Sequence, residues 1–198
     1  MANGTVNDRD VVVLGGARTP FGVFMGSLKE VSATELGAIA ARGALERSGV
    51  DAKDVDQVFF GNVLQTSKDA IYLARHVALK VGAPIETPAL TLNRLCGSGL
   101  QAVISGAQAL LLGEATFALV GGAENMSQAP FVVRGARAGL SLGEHKFEDY
   151  LWESLTDSYC GCPMAVTAEN LAKQYHITRE QIDAYALRSQ QAAKVAQE

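Results

Sequence analysis

No apolar run in the sequence approaches the roughly 18 residues that a membrane-crossing helix needs. The longest candidates, Val11–Ala17 and Phe117–Ala123, are short and contain glycines. A soluble chain with no membrane partner is expected. A basic excess is also missing: Lys+Arg 17 against Asp+Glu 21 gives a net charge of -4, so nothing suits phosphate neutralisation along a nucleic acid. The first ten residues carry Asp8 and Asp10 and lack both the apolar stretch of a secretory signal and the Arg-rich character of a transit peptide. Cysteine is scarce and odd in number, at 3. Without an export signal, free thiols in a reducing compartment are expected, and with them a cytoplasmic location. No internal repeat or low-complexity tract occurs.

What remains is material for a folded core. At roughly 150 residues per domain, 198 residues suggest one domain with an appendage, and a hydrophobic fraction of 48% excludes intrinsic disorder. Up to about residue 123, short apolar runs alternate with stretches of helical period, which predicts an α/β fold. Candidate strands are Asp10–Gly15, Gln57–Val63, Pro88–Leu92 and Thr116–Gly121. One helix is expected from the Ser32/Glu35 capping-box spacing to Gly49, a second over Ala70–Lys80 and a third over Cys96–Leu112. The third carries Leu100, Val103, Ile104, Ala107 and Leu111 on one face and only Gly, Ala, Ser and Gln on the other, a pattern expected of a helix buried on most sides. From about 125 to 163 the alternation lapses into a long loop, of the kind that serves as a lid or assembly element. Two more helices follow, the last opening with the capping box Thr178/Gln181 and running to Glu198.

Chemistry concentrates at Asn93-Arg94-Leu95-Cys96-Gly97-Ser98-Gly99-Leu100. A thiol at the first turn of a helix would meet unpaired backbone N–H groups and the positive end of the helix dipole, both of which favour thiolate. The dipole supplies roughly 0.3–1 kcal/mol, about 2 at most, so Cys96 would need an added base to be a strong nucleophile. The competing reading is a small core residue at a tight strand-to-helix junction. Cys160 and Cys162 are one residue apart, matching neither C-x-x-C nor a zinc knuckle, and read as packing residues or a substrate-facing lip. His76, His145 and His176 occupy surface or structural contexts. Gly15-Gly16-Ala17-Arg18-Thr19-Pro20 follows a strand, but neither G-x-G-x-x-G nor G-x-x-x-x-G-K-[ST] occurs. Gly121-Gly122-Ala123-Glu124-Asn125 reads as a tight turn into the long loop, with Glu124 a minor functional candidate.

Taken together, Ala17-Arg18-Thr19-Pro20-Phe21-Gly22, Gly61-Asn62-Val63-Leu64-Gln65, the segment around Cys96, Gly121 to Ser127, and Met164 with Thr167-Ala168-Glu169-Asn170 resemble the N-terminal half of a thiolase, across essentially the whole chain. The resemblance implies a thiolase-like fold: a layered mixed β-sheet with helices on both faces, and a loop subdomain at about 125–163. It implies that Cys96 takes the acyl group of an acyl-CoA as a thioester, its backbone N–H forming part of an oxyanion hole. The reaction would be thiolysis of a 3-ketoacyl-CoA or the reverse Claisen condensation. Leu155 and Met164 would touch the pantetheine or acyl region. Coenzyme A thioesters would be substrates, with no cofactor or metal, and the complete enzyme would be a homodimer or homotetramer.

Pro163 stands where the biosynthetic acetoacetyl-CoA type usually has histidine, and with Ser67–His76 and Leu151–Leu155 it brings the chain closer to β-oxidation thiolases. The family's Gly-His-Pro base motif and its second, proton-transferring cysteine belong to the other half, so this chain alone is expected to have negligible turnover. Other readings consistent with the residues are a ketoacyl-synthase-like condensing enzyme and a non-catalytic half that pairs with a separate partner.

Overall fold

A computed structural model describes residues 10–198. It divides into two compact units, one ending at Phe147 and the other spanning Glu148–Glu198.

The first unit is built on three parallel strands, β1 (Gln57–Gly61), β2 (Ala89–Leu92) and β3 (Ala118–Gly122), in the order β2-β1-β3. The register pairs Phe59 with Leu90 on one side and with Val120 on the other. Three helices connect and cover them: α1 (Ala33–Ser48), α2 (Leu73–Val81) and α3 (Ser98–Leu111). Side chains alternate along a strand, so Phe59 and Phe60 must face opposite layers. Phe60 lies against Gly37 of α1, whereas Phe59 and Val120 lie against Gly106 of α3. The sheet therefore has helices on both faces, as expected. The α1/α2 side holds the main apolar core, with Val58, Phe60, Leu73, Val77 and Ala41 buried together.

The helix signals act through identifiable atoms. The Ser32 hydroxyl accepts from Glu35 N at 3.2 Å, and Gly49 closes α1 at φ 71°. Only half of the expected capping box forms, because the Glu35 carboxylate instead accepts from Lys80 Nζ at 2.8 Å and Arg42 at 3.1 Å, tying α1 to α2. A 3-10 turn, Ala70–Tyr72, precedes α2.

Two expectations are corrected. Asp10–Gly15 forms no strand. Its residues belong to none of the three described sheets, and Val13 is 86% exposed. An apolar β-branched run becomes a strand only when a neighbouring strand accepts its N–H and C=O groups. The second correction concerns α3, whose small face is the one that packs. Ala102, Gly106 and Ala109 are buried, while Leu100 and Leu111 are 68% and 63% exposed. A Cβ on Gly106 would lie 2.5 Å from Val120 Cγ1, so the helix sits closer to the sheet than large side chains allow.

The 125–163 region is more structured than a loop. It holds 3-10 turns at Met126–Gln128 and Ala136–Ala138, short strands β4 (Phe131–Val132) and β5 (Glu148–Asp149), helix α4 (Tyr150–Ser154) and strands β6 (Thr156–Asp157) and β7 (Cys162–Pro163). In the second unit, β6 and β7 pair as an antiparallel hairpin. They lead into α5 (Met164–Gln174) and α6 (Arg179–Gln197), where Thr178 and Gln181 form both halves of the capping box. None of α4, α5 or α6 contains a buried residue. No described helix is long and apolar enough to cross a membrane.

Candidate active site

The junction between β2 and α3 sits at the C-terminal end of the parallel sheet, where open α/β sheets present ligand sites. Close packing fixes that position. A Cβ on Gly61, the last residue of β1, would lie 2.7 Å from Ser98 Cβ and 2.8 Å from Ser98 C, so the first turn of α3 rests directly on the strand end. Buried Ser98 then organises the loop before it. Its hydroxyl accepts from Arg94 N at 2.8 Å and donates to Leu95 O at 2.7 Å. Asn93 Oδ1 accepts from Leu95 N at 2.8 Å.

These bonds hold Leu95 at φ 49°, a left-handed conformation that a branched side chain avoids unless its surroundings impose it. The tight turn leaves Cys96 exposed at its crest. The helix begins at Ser98 with Gly97 as its cap, so Cys96 stands just outside the first turn rather than within it. The side chains that hold the loop, Asn93, Ser98, and Arg94 paired with Gln101, include no group that could accept a thiol proton at neutral pH.

Glu124 is half-buried and structural. Its carboxylate accepts from Asn62 Nδ2 at 2.8 Å, Val63 N at 3.0 Å and Leu64 N at 3.1 Å, fastening the segment after β1 to the end of β3. Burial raises its pKa, against the opposing pull of those donors. Asn125, also buried, donates through Nδ2 to Val31 O at 2.7 Å and Lys29 O at 3.1 Å. The expected turn at Gly121–Asn125 is thus the end of β3 followed by a two-residue clamp, with Glu124 and Asn125 each holding a different segment.

The histidines are engaged elsewhere. His76 stacks on Tyr72 with ring centroids 5.3 Å apart, and His145 Nε2 lies 2.8 Å from Ser141 O. His176 follows α5 at φ 55° and lines a shallow cavity with Glu169, Lys173 and Ile182. Leu155 and Met164 meet in the second unit, where Met164 N donates to Leu155 O at 3.1 Å. Cys160 is exposed and Cys162 half-buried, so neither packs as a core residue. The described residues contain no cluster of three or more His, Cys, Asp or Glu arranged for a metal ion.

Sequence reasoning named Cys96 but missed the residues that aim it. Asn93 two positions before Leu95 is an Asx-turn signal, and Ser98 is a serine entering a helix; both were legible. The positive φ at Leu95 carried no sequence signal.

Comparison with known proteins matches this geometry to one family. The thiolase N-terminal domain matches residues 11–198. Human mitochondrial 3-ketoacyl-CoA thiolase is 55% identical over 189 residues, covering 95% of this chain and 48% of that protein. Acetyl-CoA acetyltransferase of Pseudomonas aeruginosa is 47% identical over 193 residues, covering 95% and 48%. The crystal structure of the human mitochondrial enzyme in complex with CoA superposes with a TM-score of 0.91, covering 93% of this chain and 47% of that one. An acetyl-CoA acetyltransferase from Bacillus anthracis, 38% identical, reaches 0.88 over 93% and 47%. The chain spans about half the length of the curated relatives it matches. With its sheet, its cysteine-bearing turn and nearly every residue aligned to the same domain, the chain belongs to the thiolase family, as the N-terminal domain.

Proposed function

We propose that this chain is the nucleophile-bearing half of an acyl-CoA C-acyltransferase. Cys96 accepts the acyl group of a 3-ketoacyl-CoA during thiolysis, or of acetyl-CoA during the reverse Claisen condensation. The observation that carries the reading is the exposed Cys96 on a turn held in a left-handed backbone conformation at the C-terminal end of the sheet. In the condensation direction the Cys96 thiolate attacks the thioester carbonyl of acetyl-CoA, and coenzyme A leaves with the proton that Cys96 gave up. In thiolysis it attacks the 3-keto carbonyl, the C2–C3 bond breaks, and acetyl-CoA leaves as its enolate, which takes up that proton. Cys96 N–H contributes to the oxyanion hole, and Leu155 and Met164 contact the pantetheine or acyl portion. The cysteine itself carries the acyl group, so the reaction needs no cofactor.

The reading includes a cytoplasmic location, supported by three cysteines that are all free thiols, and a homodimeric or homotetrameric complete enzyme. Half the relatives' length, together with a Cys96 loop held by side chains that are not bases, supports negligible steady turnover by the 198-residue chain alone. Iodoacetamide labelling tests the proposal. Trypsin releases Cys96 in the peptide 95–134 and the other two cysteines in 147–173. Preferential alkylation of 95–134, suppressed by acetyl-CoA, is expected. An unreactive Cys96, or labelling indifferent to acetyl-CoA, contradicts it and favours a non-catalytic half. Thiolysis of acetoacetyl-CoA by this chain at the rate of a complete thiolase would contradict the half-enzyme reading.

A further inference from the structure

Cys160 and Cys162 have neither the C-x-x-C spacing nor that of a zinc knuckle, yet the fold brings their sulfurs together. In an extended strand, residues i and i+2 are separated by about 6.6 Å along the chain. Here the hairpin turns between them: Gly161 takes φ 68°, and its N–H donates to Asp157 O at 2.8 Å. Only glycine adopts that conformation without steric cost. The result is a Sγ···Sγ distance of 3.1 Å on an accessible surface. A disulfide needs about 2.05 Å, so closure requires a shift of roughly 1 Å, within reach of small side-chain rotations. The neighbours are Asp157 O, 3.9 Å from Cys160 Sγ, and Thr167 Oγ1, 4.0 Å from Cys162 Sγ. With no third metal-ligating side chain clustered there, the pair suits two-thiol chemistry rather than a tetrahedral cation.

We propose that Cys160 and Cys162 form a reversible dithiol/disulfide site, oxidised by low-molecular-weight disulfides and able to chelate trivalent arsenicals. In the oxidation, one cysteine thiolate attacks a sulfur of RSSR, forming a mixed disulfide and releasing the first RSH. The second cysteine then attacks the protein sulfur of that mixed disulfide and releases the second RSH. The two cysteines lose two protons and two electrons, and RSSR takes these up to become two thiols. The second step is intramolecular between sulfurs already in contact, so the mixed disulfide is short-lived. The pair lies on the hairpin that joins Leu155 to Met164, so its redox state acts on the proposed acyl contacts. That consequence rests on the acyl-transfer reading, whereas the thiol chemistry does not.

The test treats the 198-residue chain with glutathione disulfide and maps the products by tryptic mass spectrometry. The expected product is peptide 147–173, lighter by two hydrogens and free of glutathione. In Cys160→Ser and Cys162→Ser the same peptide should instead retain glutathione. Phenylarsine oxide should load one arsenical onto 147–173 with loss of water, and that loading should vanish in both single variants but persist in Cys96→Ser. Persistent glutathione adducts on wild-type 147–173, arsenical retention by Cys160→Ser, or a disulfide joining Cys96 to either residue would overturn the proposal. Cys96→Ser also separates the two readings, because it must still close the pair even though it accepts no acyl group.

Discussion

Ser98 and Glu124 show how single side chains set the site. Ser98→Ala removes both hydroxyl bonds that hold Arg94 and Leu95. It should cost about 1 kcal/mol in denaturant unfolding and slow alkylation of Cys96, because the turn loses its fixed crest. Unchanged alkylation would show that the turn needs no such support. Glu124→Ala would strand Val63 N and Leu64 N and leave Asn62 Nδ2 only Ala123 O as acceptor, at a cost of roughly 1–3 kcal/mol. Its titration has a definite direction. Burial raises the folded-state pKa above the ordinary 4.5, so the stability gained by protonation is fully present below 4.5 and is lost as pH rises through the folded value. Wild type should therefore lose stability relative to Glu124→Gln as pH climbs above 4.5, measured by urea unfolding; a flat or opposite difference contradicts this. At this scale the sequence was partly legible. Cys96 stood out through its neighbours, whereas Glu124 looked like a minor candidate for chemistry because three backbone and amide donors, distant in sequence, convert it into a clamp.

At the scale of elements, α3 is the most informative. Its small face is spent on the sheet, and a Cβ at Gly106 would collide with Val120 Cγ1 while one at Gly61 would meet Ser98 backbone. Gly106→Ala can be relieved only by moving a β-branched side chain or the helix, and should cost about 1–3 kcal/mol. Gly61→Ala has no side chain to displace and should cost more, while also disturbing Cys96 alkylation; equal, small losses in thermal unfolding would contradict the packing described. The composition of α3 announced a helix with two uncharged faces, but periodicity cannot tell which of them a sheet will take. Closeness of approach decided it, and that depends on Gly106 meeting Val120, a contact between residues 14 positions apart. Asp10–Gly15 failed as a strand for a related reason: β propensity is local, but a ladder needs a neighbour. Helix α6, by contrast, was legible because the Thr178/Gln181 capping box is a local interaction.

For the whole molecule, the hydrophobic fraction of 48% suggested a self-sufficient core, and the structure shows where part of it goes instead. Leu100, Leu111, Val13 and Phe21 are all more than half exposed. Apolar surface of this kind drives association. Light scattering should find the chain associating as its concentration rises, and Leu100→Ser with Leu111→Ser should reduce that without lowering the unfolding midpoint; a clean monomer at high concentration contradicts it. The proposed reading assigns this chain a single acyl transfer to Cys96 without steady turnover. Brief exposure of the chain to acetyl-CoA, acid quenching and mass analysis of peptide 95–134 tests this most directly. The account predicts a hydroxylamine-labile acetyl group on Cys96, discharged by added coenzyme A and absent from Cys96→Ser. A folded chain that leaves Cys96 unacetylated, or that carries the acetyl group on another residue, would contradict it.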